Sequence, residues 1–144
     1  MSDPTESLSD ADVPAWLRAH GVPGIVDLHV HFMPDRVQQK VWAYFDRVGE
    51  GDTAGAPPWP IRYRGTDEER VAQLRAIGVD RYATLSYAHR PGMARWLNDW
   101  SDSFADAHAD AIRSATFYPE PEAGAIVADA LGRGARIFKI HVQV

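Results

Sequence analysis

The sequence predicts an α/β domain in which parallel strands alternate with helices, and three observations predict it. Segments 25–32 and 136–144 read as strands with one apolar and one polar face. Strand and helix patterns alternate from residue 25 onward, and such alternation implies right-handed crossovers and a parallel sheet. Polar side chains also crowd the C-terminal ends of the strands, where α/β proteins place their sites.

Composition bounds the function. With 144 residues, 45% hydrophobic and 24% charged, the chain suits one soluble domain with a sizeable core. A net charge of −5 with no basic tract argues against nucleic acid as a partner. No apolar run approaches the roughly 20 residues that span a bilayer, and the acidic N-terminus is no signal peptide. Without cysteine, any metal must be held by nitrogen and oxygen. A cytoplasmic protein is the simplest expectation.

Residues 1–9 read as a polar tail, and a short helix over 13–19 offers Trp16 and Leu17 to the domain, so 1–20 is set apart from a unit over 21–144. Pro23-Gly24 then turns the chain into the first strand. Side chains alternate along a strand, so Asp27, His29 and His31 share one face, and Val26, Leu28, Val30 and Phe32 share the other. Two imidazoles at i and i+2 can both reach one metal ion; the alternative is two histidines in a solvent-facing hairpin.

Asp35 and Gln38 have the spacing of an N-terminal capping box, followed by Val37, Val41, Tyr44, Phe45 and Val48 at helical spacing and Gly49 as a stop. Residues 50–65 break regular structure with Gly51, Gly55, Pro57-Pro58 and Pro60, yet carry Trp59, Ile61, Arg62, Tyr63 and Arg64. Such a loop is a lid or substrate-binding loop, or a surface excursion whose Trp59 packs down.

Thr66 and Glu69 form a second capping box before Val71, Leu74 and Ile77, and Gly78 ends that helix. A strand over 81–87 leads to His89 and Arg90 at its C-terminal end. Next come a long helix with Met93, Leu97, Trp100 and Phe104 on its apolar stripe and His108 on its surface, a strand over 113–118, and a helix containing Ile126, Val127 and Leu131. The final strand places Phe138, Ile140 and Val142 on one face and Lys139, His141 and Gln143 on the other.

At these residues the chain resembles the amidohydrolase superfamily, in particular its aminocarboxymuconate semialdehyde decarboxylase-like branch. The resemblance covers roughly residues 20–144. It rests on His29-Val30-His31 in the first strand, Gly78-Val79-Asp80 entering the second, Asn98-Asp99 in the next helix, and Lys139-Ile140-His141 in the last strand. His-x-His alone is only moderately specific, and the ordered set is more so. The resemblance implies a TIM-barrel-type β/α repeat. The chain would supply about half of a barrel, four parallel strands with flanking helices, since a full barrel takes about 250 residues.

The resemblance further implies one divalent metal, most often Zn2+, held by His29, His31 and His141. Lys139 matches a position that other branches carboxylate to bridge two metals; here a structural or electrostatic role is favoured. Asp27 is either an outer-shell acceptor that orients a histidine or a strand-start carboxylate with no such role. The family's Asp from its final strand, a metal ligand and proton shuttle, has no counterpart in this sequence, so the catalytic residue stays unassigned. The expected activity is a metal-dependent hydrolase in which metal-bound hydroxide attacks a carbonyl, competent in a longer or assembled protein, including a homo-oligomer. A metal-dependent decarboxylase (a carboxy-lyase) and a non-catalytic metal-binding fragment are the alternatives. The expected partner is a small molecule, and arginine near the mouth would suit a carboxylate. Arg62, Tyr63, His89 and Arg90 are the candidate contacts, although each taken singly also fits an ordinary surface position.

Overall fold

A computed structural model describes residues 9–141. The expected tail over residues 1–8 and the positions of Val142, Gln143 and Val144 lie outside them. In order, the described elements are α1 (Val13–Ala19), β1 (Ile25–Asp27), α2 (Asp35–Phe45), α3 (Asp67–Ala76), β2 (Val79–Ala83), α4 (Ala94–Ala107), β3 (Ala111–Ile112), β4 (Ser114–Thr116), α5 (Ala123–Gly132) and β5 (Ile137–Lys139). Short 3₁₀ turns cover Asp10–Asp12 and Gly51–Thr53.

The α/β class holds, with every strand pairing parallel. In place of one four-stranded sheet, the described residues form a three-stranded sheet, β1-β2-β3, and a two-stranded sheet, β4-β5. The break falls at Arg113 and has a visible cause. Past Ala83 the second strand is tied to β4 by side chains in place of main-chain ladders: Thr84 N–H donates to Ser114 Oγ (3.2 Å) and Ala88 N–H to Thr116 Oγ1 (3.1 Å). Buried hydroxyls and amides from α4 complete this seam, with Thr84 Oγ1 2.6 Å from Ser101 Oγ and Asn98 bonded to both main-chain groups of Thr116. Polar side chains satisfy the backbone that a regular ladder would otherwise satisfy.

The strands are shorter than their apolar patterns. The first strand was expected over 25–32 and ends at Asp27. Its apolar face divides: Val30 and Phe32 join the main core with Val71, Val79, Tyr82 and Phe104, whereas Val26 and Leu28 are 56% and 55% exposed. β1 is the outer strand of its sheet, and the helices that follow it pack further along the chain. Ile140 is likewise exposed beyond β5.

Local signals fared according to their partners. The Thr66 box forms in full, Glu69 N–H donating to Thr66 Oγ1 (3.2 Å) and Thr66 N–H to Glu69 Oε2 (2.8 Å). The Asp35 box does not form. Pro34 is the N-cap of α2, Asp35 is its first helical residue, and the buried Gln38 side chain turns away to accept from Arg70. Gly78 has φ +89°, and a Cβ there would lie 2.8 Å from Leu17 Cδ1. The glycine therefore both makes the turn into β2 and lets α1 dock through Leu17. Trp16 stays largely outside, stacked on His20. His108 differs from its expected surface position: it is half-buried and stacks on Phe104 at 4.2 Å.

Candidate metal centre

The segment after β1 bends at Leu28 and is not a strand beyond it; its carbonyls are satisfied one at a time by separate donors. Leu85 N–H donates to Val30 O (2.8 Å), Arg70 Nη2 to His31 O (2.5 Å) and Ser86 Oγ to Phe32 O (3.0 Å). Asp27 Oδ1 accepts from His29 N–H at 2.9 Å, an Asx-type turn that sets where the two histidines begin. The carboxylate of Asp27 thus acts on the His29 backbone, a different contact from the ring contact envisaged for it.

His29 is exposed and His31 half-buried, with their rings 5.1 Å apart at 67°. His31 Nδ1 lies 2.8 Å from the Leu85 carbonyl. A carbonyl oxygen only accepts, so Nδ1 carries the proton and Nε2 presents its lone pair. Burial pushes the His31 pKa below the ordinary histidine value; the Leu85 bond opposes this, and the neighbouring charges of His29, Lys139 and Arg70 reinforce it. These effects together favour the neutral ring, the form in which histidine binds metal.

Arg70 sits on α3 and is mostly buried. Besides His31 O it donates to Gln38 Oε1 (3.2 Å), lies over the Phe32 ring (4.4 Å to the centroid), and approaches Asp67 at 3.8 Å. The sequence carries one sign of this role: Arg70, Leu74 and Ile77 fall on one helical stripe. A charge on a core-facing stripe needs buried partners.

His141 follows β5 with Ile140 between. Its ring stacks on Tyr87 (5.0 Å, 17°), and Tyr87 also meets His31 edge-on at 6.0 Å. His29, His31, Tyr87 and His141 thus form a series of touching rings. His141 Nδ1 is buried and has no hydrogen-bond partner among the described residues. Tyr87 touches both His31 and His141, and among the described residues no group of three or more His, Asp or Glu side chains is placed to hold a metal ion. The donor chemistry nevertheless fits a borderline divalent ion: two adjacent imidazoles, one with a fixed tautomer, and a third with an unsatisfied ring nitrogen. Lys139 closes β5 opposite Thr116, half-buried and close enough to His31 to oppose its protonation.

The histidine pair borders a cavity of about 660 Å³ whose walls come from β1, α2, α3 and the 59–63 segment. Arg62 and Tyr63 line it; His89 and Arg90 are exposed and line no part of it. Tyr63 Oη donates to Asp10 Oδ2 (2.8 Å), and that carboxylate pushes the phenol pKa up. No helix of the described residues is long and apolar enough to cross a membrane. Comparison with protein-family models, with curated proteins and with solved structures returned no match.

Proposed function

We propose that this chain forms the first half of an amidohydrolase-type (β/α) barrel and supplies the histidines of a metal-dependent hydrolase. The fold assignment is supported by the order of parallel strands, in which neighbours in sequence are neighbours in each sheet. The observation that carries the functional part is His31: a half-buried imidazole whose Nδ1 is spent on Leu85 O, beside His29 and at the rim of the cavity.

His29, His31 and His141 would hold the ion, with Zn2+ the best match to an all-imidazole set. When bound, such an ion lowers the pKa of water toward about 7 and polarises a carbonyl. The chain's own residues prepare the site. Asp27 fixes the His29 backbone, Arg70 and Ser86 fix the peptides on either side of Phe32, and Leu85 fixes the His31 tautomer. Arg62 at the cavity wall is the residue offered to a polar group of a small-molecule substrate.

Zinc content tests this directly. The chain equilibrated with zinc and dialysed should retain about one ion per molecule, and the double variant His29→Ala/His31→Ala should retain none. Equal zinc in the two proteins would remove the ligand assignment.

A further inference from the structure

We propose that the cavity beside His29 and His31 receives a bulky, uncharged apolar group, about the size of two fused rings, and that Trp59 is the wall that selects it. As a statement about substrate this rests on the hydrolase proposal; as a statement about binding it stands on the cavity alone.

The cavity's volume of about 660 Å³ lies within the range of small-molecule sites, roughly 300–1,000 Å³. Its lining is mainly hydrocarbon and aromatic, with Met33, Trp42, Phe45, Trp59, Ile61 and Leu74 contributing. Of the charged groups at its edge, Arg70 is already engaged by His31 O and Gln38 Oε1 and Asp27 by the His29 amide, while Arg62 is exposed at the rim on the 59–63 segment. A cavity with this lining gains most from burying an apolar occupant, with any polar group left at the rim beside Arg62.

Trp59 is 65% exposed although it faces this space. Its ring centroid lies 6.4 Å from that of Phe45, and an occupant between or against these rings would take its apolar surface out of water. The segment that carries it is held in place. Arg64 is bonded through both terminal nitrogens to Asp46 and lies 5.6 Å over the Trp42 ring. Thr53 Oγ1 accepts from Gly49 N–H and donates to Glu50 O, each at 2.9 Å. Pro57, Pro58 and Pro60 fix their own φ angles. A tethered loop loses less freedom on binding than a free one, so its exposed indole is a preorganised contact.

The test is calorimetric titration of chelator-treated protein with 1-naphthol and with benzoate. The wild-type chain should bind 1-naphthol at least about tenfold more tightly than benzoate. Trp59→Ala should weaken 1-naphthol about tenfold, the effect of one lost aromatic contact, and Trp59→Phe should restore most of it. Trp96→Ala removes an indole that is 48% exposed on α4, away from the cavity, and should change nothing. Because Trp59 is exposed, its variants should melt with the wild type. Equal affinity for benzoate, no naphthol binding, or unchanged binding by Trp59→Ala would each overturn the proposal. Self-association that disappears in Trp59→Ala, without naphthol binding, would assign the surface to a second protein molecule instead. Naphthol binding is measured without metal, so its failure is separate from failure of the zinc experiment.

Discussion

Asn98→Ala should destabilise the fold by about 3–5 kcal/mol, more than any surface substitution. The Asn98 side chain is 2% exposed. Its Nδ2 donates to Thr116 O (3.0 Å) and its Oδ1 accepts from Thr116 N–H (2.8 Å). One side chain of α4 therefore pairs with β4 as a neighbouring strand would. Truncation leaves a buried N–H and a buried C=O without partners, each costing roughly 1–3 kcal/mol, and adds a small void. Leucine fills the void and repairs neither bond, so Asn98→Leu should be almost as damaging. Urea unfolding would measure both variants. A loss below about 1 kcal/mol for Asn98→Ala would show that Thr116 finds other partners.

Arg70→Met should cost about 3 kcal/mol and, separately, weaken zinc binding by about 10- to 100-fold. Methionine keeps much of the length and its contact with Phe32. It leaves the His31 carbonyl and Gln38 Oε1 unpaired and removes the positive charge near Asp67. Burial already holds the Asp67 carboxyl above the ordinary carboxylate range, with the Arg70 charge opposing that shift. Arg70→Lys should recover part of the stability and less of the zinc affinity. An ammonium is a single point donor and cannot hold two acceptors in the geometry of a guanidinium. Unfolding midpoints and competitive zinc titrations separate the two effects. Reduced stability with unchanged zinc affinity would confine Arg70 to the core.

What the sequence makes legible here is whatever is decided by neighbours along the chain. The Thr66–Glu69 box, the helical stripe of α4, the polar face bearing His29 and His31, and the turn at Gly78 are each contained within a few residues. What it conceals depends on partners far away in sequence. The pattern at Asp35 and Gln38 is a valid capping box until Arg70, 32 residues on, claims the Gln38 amide. The strand over 25–32 ends at Asp27, and beyond the bend at Leu28 Arg70 and Ser86 bond carbonyls that a ladder would use. Val26 and Leu28 look like core residues by alternation alone, and β1's outer position leaves them exposed. Tyr87 closes the strand read over 81–87, but its contact with both His31 and His141 is a matter of packing.

The most direct measurement is X-ray absorption at the zinc edge of the zinc-loaded chain. Three histidines predict imidazole nitrogens at about 2.0–2.1 Å, with the multiple-scattering signature of intact rings. His141→Ala should remove one of them. A zinc shell of oxygen atoms only, or a spectrum unchanged in His29→Ala/His31→Ala, would contradict a metal centre at these histidines.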